Sequence, residues 1–251
     1  MAKLDPADFP LEQVDPRGYR VESAGEDRMI ISVGPHHPST HGVLRLILEL
    51  EGETILRCEP EIGFLHTGIE KTAENLTWEQ ATTVIDRMDY LSPLNNNLCY
   101  VLAVEKLLGL EVPPRATYIR LIMSELQRIA SHLAWLGTSG LDLGVQSSFF
   151  YAMDMREGIL DIFEEVTGAR MNPSYIRVGG VAKDVPDSFE EMVGAYLEKF
   201  PKRLQELRDL FDDNPIFVDR MRGIGIISKE KAIAYGLTGP NLRACGVEYE
   251  V

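Results

Sequence analysis

The chain changes its hydrophobic period once, near residue 66, and that single switch restricts it to strands first and helices afterwards. Before it, Leu44, Leu46, Leu48 and Leu50 alternate with Arg45, Ile47 and Glu49, the period-two pattern of a half-buried strand. Glu51 and Gly52 separate this run from a second one over residues 54–58, so the two are expected to form a hairpin, with residues 29–33 as a neighbouring strand.

Beyond the switch the period becomes helical. Thr77 and Gln80 have capping-box spacing, while Ser92-Pro93 and Gly109 bracket a helix as N-cap, first-turn proline and C-terminal glycine. These signals place residues 86–90 at a helix end beside a turn. The longest helix is expected over residues 115–136, where Ile119, Ile122, Met123, Leu126, Ile129, Ala130 and Leu133 recur every three or four positions. Further helices are expected over 149–167, ended by Gly168, from Ser188 with Pro201 kinking or splitting it, and over 228–235. The segment after Gly239 reads as a strand.

The fold class is therefore α+β: an N-terminal antiparallel β hairpin or sheet followed by a mainly helical bundle. Three regions are expected: a β-rich part at 1–65, a helical bundle at 66–212, and the start of a C-terminal α/β region at 213–251.

Composition removes several function classes. With 25 basic and 39 acidic side chains the formal charge is −14, which opposes broad attraction to nucleic-acid phosphates or to anionic lipid. No uncharged stretch approaches the roughly 20 apolar residues of a spanning helix. The N-terminus has neither an apolar signal core nor an Arg-rich amphipathic pattern. Cys58, Cys99 and Cys245 form no C-x-x-C pair and read as small buried hydrophobes in a reducing compartment.

Candidate chemistry is sparse. His36, His37 and His41 crowd the turn between the predicted strands, where imidazole can hydrogen-bond, relay protons, ligate a metal or simply stabilise the turn. A hydrolase metal site on His36, His37, His41 and His66 lacks ligand spacing of the H-E-x-x-H kind. Residues 86–90, Asp-Arg-Met-Asp-Tyr, read as an exposed charged helix end. His132 reads as a core residue of the long helix, and Asp142, just past that helix among leucines, calls for a cationic or imidazole partner. These residues specify no reaction by themselves.

The order of the segments does. Residues 34–45, Gly-Pro-His-His-Pro-Ser-Thr-His-Gly-Val-Leu-Arg, and 61–71, Glu-Ile-Gly-Phe-Leu-His-Thr-Gly-Ile-Glu-Lys, resemble the N-terminal signature of the D-type subunit of NADH:quinone oxidoreductase, respiratory complex I. Segments 86–90, 103–107, 114–120, 168–170, 175–181, 214–217 and 236–239 continue the likeness in order and spacing, over nearly the whole chain. That family is related to the large subunit of nickel–iron hydrogenases. This chain has His66-Thr67-Gly68 where a hydrogenase has its first nickel-binding cysteine pair, so it is similar to the quinone branch, with no metal of its own. It departs from the family in having Ser147-Ser148 before Phe149 where Thr-Pro is common. The family also continues far beyond Val251, so the chain is expected to be C-terminally shortened.

The resemblance implies a peripheral-arm subunit that binds quinone as substrate at an interface with the B-type subunit, which carries the terminal 4Fe-4S cluster. The C-type subunit, other peripheral-arm subunits and the membrane-arm quinone-channel subunit are implied partners, and NAD reacts at a distant subunit. It puts His41 and Tyr90 at the headgroup oxygens, Asp142 beside His41, and Arg87 and His132 near the partner's cluster. The expected location is peripheral, on the cytoplasmic face of the bacterial membrane. A non-catalytic scaffold with the same fold remains the rival reading.

Overall fold

The computed structural model describes residues 20–25 (as backbone), 28–35 and 43–249, which divide into two compact units, residues 1–74 and 75–251. The histidine-rich turn 36–42 lies outside the described residues.

The first unit is a four-stranded antiparallel sheet in the order β1 (Arg20–Gly25), β2 (Arg28–Val33), β3 (Arg45–Glu51), β4 (Thr54–Glu61), followed by the short helix α1 (Ile69–Ala73). The leucine alternation sets the register. Leu46, Leu48 and Leu50 lie opposite Val33, Ile31 and Met29, so one face of the β2–β3 pair is apolar, as cross-strand packing requires. Charges line the other face, where Arg28 meets Glu49 at 3.1 Å and Arg45 meets Glu61 at 2.9 Å. Gly52, at φ 60°, supplies the positive dihedral that the β3–β4 hairpin turn needs. Strand β1 has no sequence signal among those above; it is an added outer strand.

The second unit contains α2 (Trp78–Ile85), α3 (Pro93–Leu108), α4 (Pro114–Asp142), α5 (Gln146–Thr167), a two-residue-per-strand hairpin β5 (Ile176–Arg177) and β6 (Gly180–Val181), α6 (Phe189–Asp209), α7 (Pro215–Met221), α8 (Lys229–Ala234) and α9 (Gly239–Ala244). Its axis is the α4–α5 pair. Met123, Leu126, Ala130 and Leu133 on α4 and Ala152, Ile159, Phe163 and Val166 on α5 are all buried, joined by Leu94 and Val101 from α3 and Phe189 and Leu207 from α6.

The expected caps at Thr77, Gly109 and Gly168 are present, and Ser228 caps α8, accepting from the Lys231 N–H. Thr77 and Gln80 exchange the two reciprocal capping-box bonds, at 3.3 and 3.1 Å. Ser92 differs: it bonds no helix N–H, and its hydroxyl instead accepts from Asn95 at 2.8 Å.

Four expectations are corrected. Helix α4 continues past Leu136 to Asp142, with Gly137 and Gly140 as points of close approach. A Cβ at Gly137 would lie 3.0 Å from that of Ala152, and one at Gly140 would meet Phe211 carbons at 2.8 and 2.9 Å. Pro201 does not split α6, which runs as one helix, so of the two expected effects splitting is ruled out. Residues 239–244 form α9 rather than a strand, with Pro240 in the first turn and Leu242 buried; the apolar spacing that suggested a strand is too short to decide between the two. Cys58 and Cys99 are exposed and Cys245 half-buried, contrary to the expected burial.

Candidate functional site

Between α2 and α3 the chain reverses through residues 86–92, and that turn is fixed from within. Asp86 is fully buried. Its carboxylate accepts hydrogen bonds from the Asn97 side-chain amide and from the Ser174 hydroxyl, with the Ser174 backbone N–H as a further donor. Burial pushes its carboxyl above the ordinary aspartate value of 3.8, against the lowering effect of those hydrogen bonds and of Arg87. The expected exposed helix end is thus anchored by a buried acid.

Polar bonds tie the remainder down. Asn96 donates to the Asp89 carbonyl at 3.0 Å, the Leu91 N–H donates to Asp89 Oδ1 at 3.2 Å, and Gln127 on α4 donates to the Leu91 carbonyl at 2.8 Å. What the turn leaves outside is Arg87, Met88, Asp89 and Tyr90, all exposed. The Arg87 guanidinium bonds the Thr83 carbonyl, capping the end of α2 where a cation is favoured by the helix dipole. Tyr90, 46% exposed, keeps its ring at the surface.

His132 is exposed on α4, not a core residue as expected. It shares a groove between α3 and α4 with Asp89, Ser92, Cys99 and Arg128. The structure therefore brings His132 to the flank of the Tyr90 turn. Asp142 stands elsewhere: it is the last residue of α4, ten residues beyond His132 or about 15 Å along the helix axis. A carboxylate there opposes the helix dipole. A cation reaches this helix end from α7, where Arg220 bonds the Leu143 carbonyl beside Gly144, a residue at φ 89°. His41 lies outside the described residues, and His66 is exposed.

Among the described residues no three His, Cys, Asp or Glu side chains converge as a metal ion would need. No described helix is long and apolar enough to cross a membrane.

Sequence reasoning missed Asn97, Gln127, Ser174 and Arg220, which position the exposed residues, and read Asp86 as exposed where it is buried. Only the Asn95-Asn96-Asn97 run, a poor choice for a helix's first turns, could have signalled them.

The family model described as "Respiratory-chain NADH dehydrogenase, 49 Kd subunit" matches residues 142–251. One of the D-type NADH-quinone oxidoreductase subunits of Symbiobacterium thermophilum is 60% identical over 234 residues, which cover 92% of this chain and 58% of that protein. Over about nine-tenths of its length the chain is similar to D-type subunits of NADH-quinone oxidoreductases. A D-type relative from a Roseiflexus species is 59% identical over 91% of the chain and 55% of its own length; another, from Koribacter versatilis, is 51% identical over 92% and 58%. The chain thus spans a little over half the length of these relatives. The hydrogenase-large-subunit-like fold expected from the sequence is the fold of this family.

Proposed function

We propose that this chain forms part of the quinone-reduction site of an NADH-quinone oxidoreductase, as a peripheral subunit without catalytic activity of its own. The observation that supports it most is the Tyr90 turn. A family member 60% identical to this chain is named for quinone chemistry, and here an exposed phenol is held on a turn anchored by a buried carboxylate beside a histidine-bearing groove.

Tyr90 donates its phenolic O–H to one carbonyl oxygen of the headgroup, and His41 donates to the other. The two electrons put negative charge on those oxygens, which donors fixed in advance stabilise, and two protons then give the neutral quinol. The electrons come from an iron–sulfur cluster on the B-type partner. Asp142 serves as the counter-charge to a protonated His41. When His41 releases its proton, Asp142 loses that counter-charge, a change suited to signalling toward proton translocation. Arg87 and His132 act at longer range, where a cation or a hydrogen bond near the cluster raises its reduction potential. Attachment to the cytoplasmic face of the membrane is through the other subunits, including the C-type one and the membrane-arm quinone-channel one; NAD reacts at a distant subunit.

Membranes carrying the assembled complex with Tyr90→Phe or His41→Ala test this reading, with NADH:ferricyanide activity as a control for electron entry. Selective loss of quinone reduction is expected. Full quinone reduction in an assembled complex would reject the site and favour a scaffold role.

A further inference from the structure

We infer that Asp86 is the positioning residue of the quinone site, a buried carboxylate that locks the Tyr90 turn to α3 and to the turn at residues 172–174. The inference rests on the quinone reading of Tyr90, but its observations are separate.

A carboxylate with no exposure is out of place at a helix end unless its charge is met by donors. Here they come from two other parts of the chain, 11 and 88 residues away in sequence: Asn97 on α3, and the hydroxyl and backbone N–H of Ser174. Ser174 sits at φ 43° and Asn172 at φ 50°, both in the left-handed region that side chains other than glycine avoid. Such a backbone persists where its surroundings over-determine it, and Asp86 is one of the groups that do so.

The matching feature on α3 is three successive asparagines, each donating into the same turn. Asn95 bonds the Ser92 hydroxyl at 2.8 Å, Asn96 the Asp89 carbonyl at 3.0 Å, and Asn97 the Asp86 carboxylate. Weak helix formers at the start of α3 are thereby explained as a clamp. Asp86 is the one fully buried ionisable group in the clamp, and it lies four residues from Tyr90. It touches no substrate in this scheme and acts through the placement of the phenol.

The variant Asp86→Asn keeps the shape but removes the charge and one of the two accepting oxygens that hold Asn97 and Ser174, which loosens the clamp. In membranes with assembled complex, kcat/KM for a soluble quinone should fall about tenfold, while NADH:ferricyanide activity is retained. The decisive readout is the double variant. If Asp86 acts through Tyr90, Asp86→Asn costs little more in a Tyr90→Phe background. A role confined to stability would reduce the amount of complex without changing kcat/KM per complex, or would multiply with Tyr90→Phe, and either result overturns the inference. Should Asp86→Asn fail to assemble, Ser174→Gly carries the test, since it removes one donor and suits the positive φ: a smaller loss cancelled by Tyr90→Phe supports the inference, and a multiplicative one overturns it. An unaffected Tyr90→Phe complex instead overturns the quinone reading itself, whatever Asp86 does.

Discussion

Replacing Glu105 by alanine should destabilise the helical unit more than any change to its surface charges. Glu105 and Arg120 form a two-pronged ion pair between α3 and α4, at 2.6 and 3.1 Å, with side chains only 5% and 4% exposed. The same guanidinium donates to the carbonyls of Gly180 at 2.9 Å and Arg177 at 2.6 Å, and Glu105 accepts the Gly179 N–H at 2.7 Å. Removing the carboxylate strands a buried cation and one backbone N–H. Breaking a buried pair in this way costs about 3–5 kcal/mol. For a unit of this size that lowers Tm by roughly 6–20 °C. The exposed Arg115–Asp184 pair, at 3.0 Å with side chains 66% and 62% exposed, is the control; Arg115→Ala should leave Tm almost unchanged. Thermal unfolding of the 251-residue chain followed by far-ultraviolet circular dichroism gives both values. A Glu105→Ala shift no larger than that of Arg115→Ala would show that the buried pair is not a main polar strut of the unit. The double replacement Glu105→Leu with Arg120→Met should recover most of the loss.

The same pair sets a pH dependence. Burial alone would raise the Glu105 carboxyl, but hydrogen bonds from Arg120 and the Gly179 N–H, with the charge of Arg120, bring it below its ordinary 4.5. Its stabilisation is therefore complete above about pH 4.5 and is lost as pH falls through the lower folded value, so Glu105→Gln should flatten the acid limb of a Tm-against-pH curve. Gly140→Ala should lower stability by about 1–3 kcal/mol in denaturant titration, because a Cβ there would strike Phe211 and Ser148. Gly194→Ala on α6 meets nothing within 4 Å and should raise stability by about 0.5–1 kcal/mol, so a loss there would count against the described packing of α6.

The parts of the fold legible in sequence are those fixed by short-range physics. Leucines at alternate positions set β3 and its register, and Thr77, Gly109 and Gly168 ended or began helices where their backbone chemistry requires. Long-range contacts were invisible. Asp86 reads as a surface acid until Ser174 is brought to it, and the last turns of α4 stay hidden until α5 packs against Gly137 and Gly140. The candidate site divides the same way. Arg87 was read correctly as exposed at a helix end, and Tyr90, which reads equally well as half-buried packing, is exposed too, yet His132 proved exposed and Asp142 helical, because helix phase decides the first and the continued α4 the second. Their assignment to quinone chemistry came from family resemblance, since no periodicity encodes a substrate.

Whether the Tyr90 turn meets quinone is decided by photolabelling the assembled complex with a photoreactive quinone analogue and mapping the labelled peptides of this chain. Label is expected on the peptide carrying residues 86–92, reduced by excess quinone and lost in Tyr90→Phe. Quinone-protectable label confined to other parts of the chain would contradict the proposed site.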